Sequence, residues 1–267
     1  MVIDNSQWQK ENQSMEELIA RRAFPSSYIF LDTAFLILLL GLLIWKRKYM
    51  TAIVGLVMGA VYMAVDYGIF HLLLGTRSIE GGNLFLTLLW MSMSYGFTNF
   101  IWIWLWLEKD RNLFEWSLLI LLWWFVCPII SSFLGGHMIV IERTTGAYHA
   151  YMAIILIVGY IALIIWNLKE MKARVNIPWL LAIGILVQAG WEIGLLLGGI
   201  RSAGLSMGDS LKTMVVNSLL ETNLGMPYVY AIFIALTARY SEALKKRKTP
   251  LSFRERIKEN NGESVRL

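Results

Sequence analysis

Leu84–Leu107 reads LFLTLLWMSMSYGFTNFIWIWLWL, a stretch without a single charged side chain. At 1.5 Å per residue a helix of that length matches the roughly 30 Å hydrocarbon core of a bilayer. A surface helix of a soluble domain would show a polar face, and this stretch has none. Working outward, six more runs have the same character: 28–46, 51–74, 113–135, 147–168, 178–200 and 214–238. With 84–107 they take up well over half of the 267 residues and leave no segment able to bury a soluble core. The sequence therefore predicts an all-α, polytopic protein with seven transmembrane helices, placed in the cell membrane as a multi-pass chain.

Composition agrees: 57% of residues are apolar and 16% charged, and mean hydropathy is +0.56. Average soluble domains carry about a quarter charged residues. Twelve Trp, 12 Phe and 11 Tyr exclude disorder as the general state. The single Cys, Cys127, excludes an intrachain disulfide. Asp4, Glu11, Glu16 and Glu17 make residues 1–27 unlike the basic start of a cleaved signal peptide, so the first run is expected to be retained.

Seven spans divide the Lys and Arg residues between two sides. Lys10, Arg21, Arg22, Arg77, Arg143, Arg201 and Lys212 fall on the side of the N-terminus, and the other seventeen on the opposite side. The positive-inside rule then predicts the N-terminus outside and the C-terminus in the cytoplasm. The chain divides into an extracytoplasmic tail (1–27), a membrane domain (28–238) and a basic cytoplasmic tail (239–267). In that tail Lys245-Lys246-Arg247-Lys248 lies where anionic headgroups attract cations. The net charge of +5 therefore calls for the lipid bilayer as partner and for no nucleic acid.

An internal repeat is visible. Asp66-Tyr67-Gly68 leads through Leu72-Leu73-Leu74-Gly75 to Arg77-Ser78, and Glu192-Ile193-Gly194 leads through Leu195-Leu196-Leu197-Gly198 to Arg201-Ser202. Thr98-Asn99 in the third run matches Thr222-Asn223 in the seventh. The pattern predicts a parallel 3+1+3 arrangement, with units 28–107 and 147–238 joined by a linker helix, 113–135. Parallel repeats are one transporter plan, with the site at their interface.

Ionisable groups inside a bilayer are costly and mark function by default. Here they are Asp32, Asp66, His71, His149, Glu192 and Glu221. In the N-out topology all fall in the outer half. Each of Tyr62/Asp66, Gln188/Glu192, Asn217/Glu221 and Tyr95/Asn99 is spaced i,i+4 and shares a helix face. Asp66, Glu221 and Glu192 are the candidate catalytic or proton-carrying acids. Trp191, Tyr95, Asn99, Gln188, Asn223, His71 and Asn217 are candidate substrate-binding residues. Trp191 beside Glu192 would also suit a cation. Asp32, near the membrane edge, reads better as a packing hydrogen bond, and Glu115 as an interfacial residue.

Several chemistries are excluded. No Lys lies between Thr213 and Ala238, so the last span cannot hold a retinal Schiff base. The three His have no ligand partner at helical spacing, so no metal site is expected. No Gly-rich phosphate loop is present. No cofactor is expected.

Asp66 and Glu221, in a seven-helix chain of this size, resemble the acids of the small integral-membrane terpene cyclases of the paspaline and meroterpenoid type. That family carries a Trp-Glu pair on its second helix and an Asp followed by a small residue and Gly on its last. Here the last helix reads Leu220-Glu221-Thr222-Asn223-Leu224-Gly225, Asp66 follows Val65, and the Trp-Glu pair, Trp191-Glu192, is on the sixth run. Both acids are exchanged in type and the Trp is displaced. The resemblance implies a buried carboxyl acting as general acid on a hydrophobic polyprenyl substrate. The 3+1+3 layout is similar to that of SWEET-type transporters, without their motifs. Three functions stay open at this point: such an enzyme, a proton-coupled transporter of a small solute or cation, and a non-catalytic membrane receptor or assembly factor. In the first two the ligand is a hydrophobic or amphiphilic small molecule. The sequence sets no oligomeric state.

Overall fold

The computed structural model describes residues 20–143, 148–201, 206–245 and 251–262. The acidic tail before residue 20, Ser202 of the repeated motif and the basic residues 246–248 lie outside the described residues.

Helix α1 (Ser26–Trp45) follows the extended Pro25 and stops where Arg47 turns left-handed, at φ 58°. α2 (Tyr49–Met63) runs on into a π-helical segment, Ala64–Leu73. α3 (Leu84–Glu108) starts on Asn83, whose side chain accepts from the Leu86 N–H at 3.0 Å. α4 spans Leu113–Leu134 and α5 spans His149–Lys169. α6 (Ile177–Leu197) is capped by Asn176, with Pro178 in the first turn, where its missing N–H costs nothing. α7 (Met207–Leu220) is capped by Ser206, α8 covers Met226–Lys245, and α9 (Phe253–Asn260) opens on a Ser252–Glu255 capping box.

Among the described residues, six helical stretches are long and apolar enough to cross a membrane: 26–45, 49–73, 84–108, 113–134, 149–169 and 177–197. Their outer faces carry Phe30, Ile37, Leu73, Ile154 and Leu168, all exposed. A soluble monomer rarely exposes so much contiguous apolar surface. The chain is thus helical in its main body and compatible with a multi-pass membrane protein.

The seventh run departs from the expected single helix over 214–238. α7 stops at Leu220, residues 221–225 form turns, and α8 restarts at Met226. Pro227 supplies the reason: it has no N–H to donate, and its ring clashes with the carbonyl four residues back. Gly225 and Met226 donate instead to Thr222 and Asn223, three residues back, at 3.1 and 3.2 Å. Backbone of this kind is tolerated at membrane depth only when buried in protein, and Thr222 and Asn223 are buried.

α3 is the central helix. It meets α2 closely through glycines: a Cβ on Gly96 would lie 2.8 Å from the Gly59 Cα. Small residues allow this approach, which replaces the hydrophobic drive that lipid removes. Gly194 of α6 lies in the same way against Trp124 of α4.

One end of the bundle carries an element the sequence reading assigned to tail and loops. Strands β1 (Ala20–Pro25), β2 (Arg77–Glu80) and β3 (Met138–Arg143) form an antiparallel sheet in the order β1-β3-β2. Alternation sorts their side chains. Arg22, Phe24, Arg77, Ile139 and Ile141 are buried, while Arg21, Ser78, Glu80 and Met138 are not. At the other end α9 packs under the helices. Ile257 is buried, Phe253 meets the Trp166 ring at 5.3 Å, and Lys109 Nζ donates to the Asn260 carbonyl at 2.6 Å. The tail after 239 is therefore partly structured.

Candidate functional site

Below the sheet lie two ion-pair clusters. In the first, Arg77 Nε donates to Asp66 Oδ1 at 2.6 Å and Arg143 Nη2 to Asp66 Oδ2 at 3.0 Å. Arg77 and Arg143 are register partners on adjacent strands. Like charges placed opposite each other repel, and Asp66 between them removes that cost. The Arg77 guanidinium also lies 4.4 Å over the Phe70 ring. The π-helical segment carries Asp66 and Phe70 together. Such wide turns recur at functional sites.

In the second cluster, Glu192 is fully buried. Its Oε1 accepts from Arg201 at very short range, from Gln188 Nε2 at 3.2 Å and from Asn217 Nδ2 at 3.3 Å. Gln188 is the hub. Its Nε2 also donates to Glu221 Oε2 at 2.9 Å, and its Oε1 accepts from the hydroxyls of Tyr95 and Thr222, both at 2.6 Å. All four hydrogen-bonding positions of this amide are in use. Both copies of the repeated acid–Gly–Leu–Arg motif thus close an acid–arginine pair, Asp66 with Arg77 and Glu192 with Arg201.

Glu221 differs from the other two acids. It lies at the start of the 221–225 break, is only half-buried, and forms no arginine ion pair among the described residues. Its hydrogen-bond partner is a neutral amide. An acid pinned by a guanidinium in a water-poor setting is held as a fixed anion. Glu221, held by an amide, has no such ion pair among the described residues. Aromatic rings run away from the site. Tyr62 meets Tyr95 at 4.8 Å, Tyr95 meets Trp191 at 5.7 Å, and Trp191 meets Trp124 at 5.3 Å between centroids.

The sequence-predicted residues therefore separate. Glu192, Glu221, Gln188, Tyr95 and Asn217 share one network, although Asn217 serves Glu192 rather than Glu221 one turn away. Trp191 adjoins it through its ring, and its Nε1 is buried without a hydrogen-bond partner. Asp66 sits in the neighbouring cluster. His71 packs on Tyr67, with ring centroids 5.2 Å apart, and no partner reaches its Nδ1. Both side-chain polar atoms of Asn99 lack a partner. Asn223 faces away, accepting from Tyr160 at 3.4 Å and donating to the Ser218 carbonyl. Asp32 accepts from the indoles of Trp90 and Trp123 at 3.0 and 2.9 Å.

What sequence reasoning missed is the arginines. Arg22 and Arg143 were counted as topogenic loop charges, yet with Arg77 and Arg201 they converge on the acids. Burial first, and then the guanidiniums of Arg201 and Arg143, push Arg22 down to about 9, with Glu192 and Glu221 pulling the other way. Burial and then Arg143 push Arg77 down to about 10. Arg143 is raised: burial opposes its charge, but Asp66 and Glu221 outweigh it. The alternation Arg22-x-Phe24, Arg77-x-Ile79 and Ile139-x-Ile141-x-Arg143 was the available signal.

No family model, curated protein or solved structure matches the chain. The site must be read from its own chemistry. Among the described residues no group of His, Cys, Asp and Glu is placed to hold a metal ion.

Proposed function

We propose that this chain is a seven-span protein of the cell membrane, N-terminus outside, whose outer-half site moves a proton through Glu221 onto a hydrophobic or amphiphilic molecule. The observation that carries the reading is the contrast among the three acids: Asp66 and Glu192 are ion-paired and Glu221 is not. In the enzymatic form, of terpene-cyclase-like type, the Glu221 carboxyl gives its proton to an olefin or epoxide of the substrate. The resulting cation lies against the faces of Tyr95 and Trp191. A carboxylate then takes the last proton, which completes an isomerisation without a cofactor. Glu192 and Asp66 act as fixed negative charges, and Gln188 positions Glu221.

A second reading, a proton-coupled transporter, is favoured by the break at 221–225, because interrupted helices at the bilayer midplane carry the sites of many transporters. The matched pairs Asp66–Arg77 and Glu192–Arg201 support the parallel 3+1+3 repeat under either reading. One experiment separates them. Proteoliposomes are offered polyprenyl olefins and epoxides, and both chemical conversion and solute uptake under a proton gradient are followed. Conversion lost in Glu221→Gln supports the enzyme. Gradient-driven uptake lost in the same variant supports the transporter. If Glu221→Gln changes neither, the proton role of Glu221 is wrong and a non-catalytic receptor is left. The topology has its own test: Ser78→Cys should label from outside intact cells, and Ser252→Cys only after permeabilisation. The native Cys127 is buried and stays silent.

A further inference from the structure

At the end of the bundle opposite the sheet, a cleft of about 510 Å³ opens among the ends of α1, α2, α3, α4 and α8, with Arg256 of α9 on its wall. Five cations line it: Lys46, Lys48, Lys109, Arg111 and Arg256. Two carboxylates, Glu108 and Asp110, share the lining, and both are already used. Lys48 Nζ bridges them, 3.2 Å from Glu108 Oε2 and closer still to Asp110 Oδ2. Their other oxygens accept from the Trp104 indole at 2.9 Å and from the Asn112 N–H at 2.8 Å.

The remaining cations are not all spent. Arg256 is tied to Glu259 and to the Thr237 hydroxyl, each at 2.8 Å. Lys109 gives one of its three N–H donors to the Asn260 carbonyl. Lys46 and Arg111 are exposed, and no ion pair or hydrogen bond holds either side chain among the described residues. Even with Glu259 counted, the cleft keeps a net positive charge. A charge that only sets topology needs water around it. These come instead from two separate turns and a docked helix, and they converge on one concavity that also carries Met50, Trp116 and Tyr240. Trp and Tyr rings suit the depth at which headgroup meets acyl chain. The volume falls within the range of small-molecule sites, about 300–1,000 Å³.

We propose that this cleft binds the phosphate of an anionic phospholipid from the cytoplasmic leaflet, held by Lys46, Lys109 and Arg111, with Trp116 and Tyr240 against the glycerol and upper chains. The Arg111 guanidinium presents a planar fork to two phosphate oxygens, and the two lysines add point charges. Basic pockets between helix ends on this side of a membrane suit such headgroups. The cleft shares no residue with the Glu221 network, so either reading can fail without the other.

The test follows the thermal unfolding midpoint of the full chain in phosphatidylcholine nanodiscs, alone or mixed with phosphatidylglycerol or phosphatidic acid. A site filled at a hundredfold excess over its Kd raises the midpoint by about 5–10 °C. We expect that rise with either anionic lipid, and little when sn-glycerol 3-phosphate or inorganic phosphate is added to pure phosphatidylcholine discs. Lys46→Gln with Arg111→Gln should abolish most of the rise, and Lys46→Arg with Arg111→Lys should keep it. Lys169→Gln with Lys172→Gln removes the same charge from exposed positions outside the cleft, at the same end of the bundle, and should also keep it. Both Gln pairs change exposed side chains, so in pure phosphatidylcholine their midpoints should match the wild type. An equal loss in the two Gln pairs, an undiminished rise in the cleft pair, or no rise with either anionic lipid overturns the proposal. A full rise with glycerol 3-phosphate or inorganic phosphate overturns the lipid as its source.

Discussion

The two acid–arginine clusters use the same motif and reach opposite balances. Around Asp66 two arginines meet one carboxylate, and both carboxylate oxygens are taken. Around Glu192 one arginine meets two carboxylates, and a glutamine shares its amide between them. The first cluster is saturated and anchors two strands to the π-helical segment. The second has one acid more than its guanidinium can serve, and that acid sits where the chain is broken. On the function proposed above, the first cluster is the structural one and the surplus carboxyl of the second carries the proton.

Substitutions should expose this difference, the largest first. Arg201→Gln leaves the fully buried Glu192 without its cation and should cost about 3–5 kcal/mol of stability in detergent unfolding. Arg77→Gln leaves Arg143 on Asp66 and should cost less, about 1.5–3 kcal/mol. Equal losses would break the comparison. Asn223→Leu removes the acceptor of the Tyr160 hydroxyl and should cost about 1 kcal/mol. Its repeat counterpart Asn99→Leu, which loses no partner, should be neutral or stabilising by the same measurement. Smallest of all, Glu221→Gln keeps an acceptor for Gln188 and should shift stability by less than about 1 kcal/mol while removing proton-dependent activity.

The helical body and the acids were legible in the sequence because hydropathy and the cost of burying charge are both local signals. Six of the seven apolar runs lie over helical stretches that begin and end within a few residues of the expected bounds. The strands were not legible. They have four to six residues, too short for a propensity argument, and their arginines mimic the loop charges of the positive-inside rule. Whether Arg22 is a loop charge or a site charge depends on strand pairing with residues more than a hundred positions away. The break near Gly225 and Pro227 was written in the sequence but outweighed by the apolar run around it. The π-helical turn at Asp66 has no sequence signature in this chain, and it decides which way that carboxylate faces.

The proton itself is the most direct thing to observe. Infrared titration of the protein in nanodiscs reads the carboxyl C=O stretch of protonated acids, and isotopic exchange distinguishes sites open to water. A protonated-carboxyl band that titrates with pH should be present in the wild type, disappear in Glu221→Gln and persist in Asp66→Asn, Glu192→Gln and Asp32→Asn. A band that survives Glu221→Gln and vanishes in Asp66→Asn or Glu192→Gln would place the mobile proton on an arginine-paired acid and contradict the division between the clusters.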